Sequence, residues 1–145
     1  MFITSLYITD HKISWRDGER ESMMNILLAV KNKNPNLDIK IIVEENRQKN
    51  KFSDELNQLK NAGIEMVFFK DKTPEKWGLF GIVHQKLVLI DPTSENAICV
   101  QTSANMGGEI ALSDNSYLFF KDKELITDYT THFNELFNES MSYTE

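Results

Sequence analysis

Apolar residues in this chain come in short blocks, and their spacing alternates between a period near two and a period near 3.6. The runs FITSLYIT (2–9), LDIKIIV (37–43), IEMVFF (64–69), HQKLVLI (84–90), AICVQT (97–102) and SYLFFK (116–121) have strand length and β-rich composition. Between them, ESMMNILLAVKN (21–32) repeats Met23, Ile26, Leu27 and Val30 on one helical face, and NPN at 34–36 ends it. SDELNQLKNAG (53–63) reads as a second helix, with Ser53 as N-cap and Gly63 at the left-handed C-cap position. The segment ELITDYTTHFNELF closes the chain as a third, with Leu125, Tyr129, Phe133 and Leu136 on one face. Strands alternate with helices early and follow one another at hairpin spacing later. That order predicts one α/β domain over residues 1–145, a mixed β-sheet flanked by helices on both faces. Leu27, Leu28, Ile41, Val43, Val88, Ile98, Val100, Phe119 and Phe133 are the expected core.

Composition fits that picture. The chain has 145 residues, 41% hydrophobic and 26% charged, enough to bury a core without metal or disulfide staples. Its one cysteine, Cys99, sits in the apolar run AICV, which excludes disulfide and cysteine-cluster chemistry and points to a cytoplasmic location. No window reaches the roughly 18 apolar residues of a membrane span, so no transmembrane segment is expected. A net charge of −6 works against a surface built mainly to grip phosphate backbones.

Chemistry is concentrated in HQKLVLID (84–91). On a strand, His84 and Lys86 share a face and stand about 6 to 7 Å apart, close enough to touch one phosphate. The next strand ends in QTSAN, where Ser103 and Asn105 are again two residues apart and offer donors for phosphate oxygens. Of these groups, imidazole is the one that attacks phosphorus near neutral pH. Three His, thirteen Lys and nine Asp would give about 0.02 chance matches to H-x-K-x(4)-D in a shuffled chain.

HQKLVLID followed by TSAN resembles the H-x-K-x(4)-D and G-S-x-N signature of the phospholipase D superfamily, and the order of strands and helices is similar from about residue 2 to 138. The resemblance implies a phospholipase D-like fold, with His84 as nucleophile and Lys86, Ser103 and Asn105 holding the phosphate. It marks Asp91 as the motif's aspartate, structural rather than in contact with substrate. Two motifs build one site in that family and this chain carries one. A homodimer is therefore implied, with His84 of each subunit facing the other across a twofold axis, as in single-motif nucleases. Thr102 stands where the family has glycine. Ser116 stands where an acid commonly orients the histidine, with Asp114 and Glu109 nearby. Relatives usually begin with a further helix, so the domain is either trimmed or one half of a two-motif protein.

KDKTPEKWGLFG (70–81) leads into His84, and its Lys72, Lys76, Trp77 and Phe80 form a candidate substrate-contact loop, weighed against a solvated loop with two aromatics on the core. His11 and His132 read as surface residues and Trp15 as a core or rim residue. The three histidines lack metal-ligand spacing, so neither a metal nor a cofactor is expected. The leading function is a metal-independent phosphodiesterase acting as an endonuclease on nucleic acid. The alternatives are a phospholipid hydrolase or phosphatidyltransferase, or half of one, and a non-catalytic binding module.

Overall fold

The computed structural model describes residues 1–5, 8, 13–15, 18–45, 48–49, 52–69, 86–103 and 116–141, with side-chain surroundings for all but 13–15 and 18–20. In chain order the strands are β1 (Phe2–Thr4), β2 (Ile13–Trp15), β3 (Gly18–Arg20), β4 (Lys40–Glu44), β5 (Glu65–Phe69), β6 (Lys86–Ile90), β7 (Ile98–Thr102) and β8 (Tyr117–Phe120). The helices are α1 (Met23–Lys33), α2 (Ser53–Asn61) and α3 (Lys123–Met141). Six strands form one mixed sheet in the order β5-β4-β1-β6-β7-β8. β4 runs parallel to both β1 and β5, joined through helical crossovers, whereas β6, β7 and β8 follow as antiparallel neighbours. β6 meets β1 antiparallel at the junction.

Strand alternation divides the core in two. Ile3, Ile41, Val43, Met66 and Phe68 face α1 and α2, packing on Met24, Leu27, Leu56 and Leu59. Ile42, Val67, Leu87, Leu89 and Cys99 face α3, packing on Ile126, Phe133 and Phe137. Helices therefore cover both faces, as the alternation of strand and helix predicts. Phe133 lies stacked on Phe2 with ring centroids 4.7 Å apart, fixing α3 against β1.

Several local expectations are corrected. α1 is capped by Ser22, whose hydroxyl accepts from the Asn25 N–H, and it buries Met24 and Leu27 while Ile26 is exposed. Ser53 is the first helical residue of α2, with Phe52 at the N-cap and no side-chain cap. Gly63 does take the left-handed conformation, φ +78°, that a residue just past a helix favours. α3 buries Ile126 rather than Leu125, a face rotated by one position that still includes Phe133. Phe119, expected inside, is 67% exposed on β8. The β2/β3 pair falls between the first expected strand (2–9) and the first expected helix (21–32), where no strand is expected.

Candidate functional site at the strand ends

The sheet's polarity gathers chain ends along one rim. β1, β4, β5 and β7 finish there and β6 and β8 begin there, so residues far apart in sequence become neighbours. In open α/β sheets the crevice at strand ends is the usual place for ligands. β1 delivers Thr4 and Ser5, both buried; the Ser5 N–H donates to the Ile42 carbonyl at 3.0 Å, continuing the β1/β4 ladder. β6 opens with Lys86. β7 ends in Thr102, Ser103 follows it, and Ser116 precedes β8.

Lys86 is only 9% exposed, unusual for a lysine. The cross-strand register pairs it with Thr102, and pairs Thr102 with Tyr117. These three residues form one row across β6, β7 and β8, on the sheet face opposite α3. Removal from water pulls the Lys86 ammonium below the ordinary lysine pKa, because burial penalises the charged form. A cation held in a poorly hydrated setting attracts an anion more strongly than the same cation in bulk water.

Ser103 and Ser116 are tied to each other. The Ser103 N–H donates to the Ser116 carbonyl at 3.2 Å, and the Ser116 N–H donates to Ser103 Oγ at 3.1 Å. This double link closes the neck of the segment between β7 and β8. The Ser116 side chain is exposed.

Asp91 lies at the other end of β6, about 16 Å from Lys86 by strand rise. It is exposed, adopts a left-handed backbone with φ 46°, and its carbonyl accepts from the Ser94 N–H at 2.9 Å. Here it starts a turn, a geometry aspartate tolerates better than most residues. A cavity of about 200 Å³ near that end is lined by Pro92, Ser94, Lys121, Lys123 and Thr130 among others, well away from Lys86. His132 is exposed on α3.

Among the predicted site residues, the structure thus brings Lys86, Ser103 and Ser116 to one rim and separates Asp91 from them. His84, Asn105, Asp114, Glu109, Lys72, Lys76, Trp77, Phe80 and His11 lie outside the described residues. Reading the first strand through to residue 9 concealed Ser5 as a strand-end residue; the hydroxyl pair closing FITS is the signal that marks it. No group of three or more histidine, cysteine, aspartate or glutamate side chains suited to a metal occurs among the described residues. None of the described helices is long and apolar enough to cross a membrane.

Comparison with known proteins agrees with this architecture. Residues 3–137 match the family model described as cardiolipin synthase, PLD-like domain. No curated protein matches by sequence. Among solved structures, the chain is similar to NucT from Helicobacter pylori, with a TM-score of 0.66 and 20% identity over 96% of this chain and 79% of that one. With the family model spanning nearly its whole length, this chain belongs to the phospholipase D superfamily, within its cardiolipin synthase-type PLD-like domains.

Proposed function

We propose that the protein is a metal-independent phosphodiester hydrolase that cleaves nucleic acid through a covalent phosphohistidine on His84. The observation that carries this reading is the buried Lys86 at the head of β6, with Ser103 on the adjoining strand end. His84 precedes that lysine by two residues and Asn105 follows that serine by two. By register Ser103 follows Thr102 off the Lys86 face, so what supports a shared phosphate is that both pairs adjoin one rim, where β6 begins and β7 ends.

In the first step His84 donates an imidazole nitrogen lone pair to phosphorus, and the phosphorus–oxygen bond to the leaving group breaks. The leaving oxygen takes a proton from His84 of the partner subunit. In the second, that imidazole removes a proton from water, which attacks phosphorus. The phosphorus–nitrogen bond breaks and a phosphomonoester departs. Lys86, Ser103 and Asn105 stabilise charge on the non-bridging oxygens throughout.

Two observations favour a second copy of the chain as the partner. Tyr117, Leu118 and Phe119 are exposed on β8, the outermost described strand on that side; Tyr117 and Phe119 share the Lys86 face, with Leu118 on the other, and Tyr117 continues the row from Lys86 and Thr102. An apolar strip beside a site that holds one motif suits a twofold contact that completes it. The same strip, with the family's description, supports a phospholipid phosphodiesterase as the second reading.

Hydrolysis of bis(p-nitrophenyl) phosphate in EDTA tests the proposal. Wild type is expected to turn over with the chelator present, and His84→Ala to lose about 10³-fold or more. Activity abolished by EDTA and indifferent to His84→Ala contradicts it. Cleavage of single-stranded DNA, duplex DNA or RNA, set against headgroup release from phosphatidylcholine vesicles, separates the two substrate classes.

A further inference from the structure

We propose that Thr102 is a positioning residue for Lys86: its β-branched side chain, directly opposite across the β6/β7 ladder, walls the lysine stem and holds the ammonium at the sheet rim toward the substrate phosphate. This rests on the hydrolase reading above.

Lys86 and Thr102 are the final pair of their ladder, so their Cβ atoms are about 4.5 to 5.5 Å apart and their side chains leave the same face. They are almost equally buried, at 9% and 8% exposure. A lysine near a sheet end ordinarily swings its flexible stem until the ammonium reaches water. This one is confined from both sides. On β1 the last pair with β6 is Thr4 and Leu87, and alternation puts the next residue, Ser5, on the Lys86 face. Ser5 is fully buried. Serine and threonine thus bracket the lysine across three adjacent strands.

The two brackets differ in stiffness. Serine is small, whereas threonine has two heavy atoms on Cβ and few χ1 states on a strand. The rigid wall therefore comes from β7, and Thr102 is where a change of shape should release the stem. Burial lowers the Lys86 proton affinity, in keeping with confinement. The residues beside it on the flanking strands, Ser5 and Thr102, are not titratable in the relevant range; Glu44 ends β4, beyond β1, and His84 precedes Lys86 on its own chain segment.

The test titrates Lys86 by the NMR shift of its side-chain ε-CH2 in isotopically labelled protein, assigned by its loss in Lys86→Arg. The series is Thr102→Ala, Thr102→Ser and the isosteric Thr102→Val. Wall loss in the alanine and serine variants is expected to move the titration upward toward the ordinary lysine value, with Thr102→Val unchanged. For bis(p-nitrophenyl) phosphate, the same two variants are expected to raise KM by about threefold to tenfold, with Thr102→Val within about twofold of wild type. An unmoved titration in Thr102→Ala, or in Thr102→Ser if the alanine variant does not fold, overturns the proposal. So does a Thr102→Val as perturbed as the alanine variant, which would put the effect in the hydroxyl. The titration needs no turnover: a shifted Lys86 in a protein inert toward phosphodiesters keeps the positioning role and removes the hydrolase reading.

Discussion

Lys86 carries the clearest physical consequence at the scale of a single residue. Its pKa in the folded chain lies below the 10.5 of an ordinary lysine. Between those two values the unfolded chain binds more protons than the folded one, so folding stability should rise with pH across that window and fall as pH drops through the folded value. Urea denaturation over an alkaline pH series should show this slope in wild type and a flatter one in Lys86→Met; equal slopes would mean the ammonium is not paying for its burial. Cys99 is the counterpart without chemistry. Burial pushes its thiol up to about 11, leaving little thiolate at neutral pH. A thiol reagent such as Ellman's should therefore label it after unfolding and not before, and rapid labelling of native protein would contradict its place under α3. Asp91 tests a backbone. At φ 46°, Asp91→Val should destabilise by about 1 to 2 kcal/mol while Asp91→Gly folds normally; equal thermal midpoints would remove the turn argument.

At the scale of elements the energies are larger. α3 is anchored by Phe133, which stacks on Phe2 and lies 5.8 Å from Phe137 by ring centroid. Phe133→Ala should cost about 3 to 5 kcal/mol in chemical denaturation, and a loss below about 1 kcal/mol would show that the α3 face is misassigned. The sequence made this helix legible but left its rotation ambiguous, because Leu125 and Ile126 are both apolar and either begins an acceptable stripe with Phe133. Ile26 misled in the same way beside Leu27. Strands from β4 to β8 were recoverable because apolar runs end at polar or turn residues. β2 and β3 were not, since three-residue strands carry too little periodicity; the Ile13-Ser14-Trp15 alternation just before Asp17-Gly18 was their faint trace. Phe119 shows the limit of composition. A β-branched or aromatic run announces a strand, yet its burial depends on what covers the sheet, which a local window does not contain.

For the whole molecule, the mixed sheet explains why the motif needs a fold. β6 and β7 place Lys86 and Thr102 opposite each other, and the double link from Ser103 to Ser116 holds β8 alongside. Spacing alone suggests the motif; the row of Lys86, Thr102 and Tyr117 it could not show, because that row is created by register. A second copy docking on Tyr117, Leu118 and Phe119 would complete the site with its own histidine. Phe119→Glu should then convert a dimeric mass in sedimentation or light scattering to a monomeric one and remove phosphodiesterase activity without unfolding. A fully active monomer would contradict the shared site.

The central claim, an imidazole bonded to phosphorus part-way through the reaction, is tested most directly by the stereochemical course at phosphorus in a chiral phosphorothioate diester. Two successive in-line displacements, one by His84 and one by water, each invert, so the account predicts net retention. Net inversion would show that water attacks the diester in a single step, and the phosphohistidine would have no place in the mechanism.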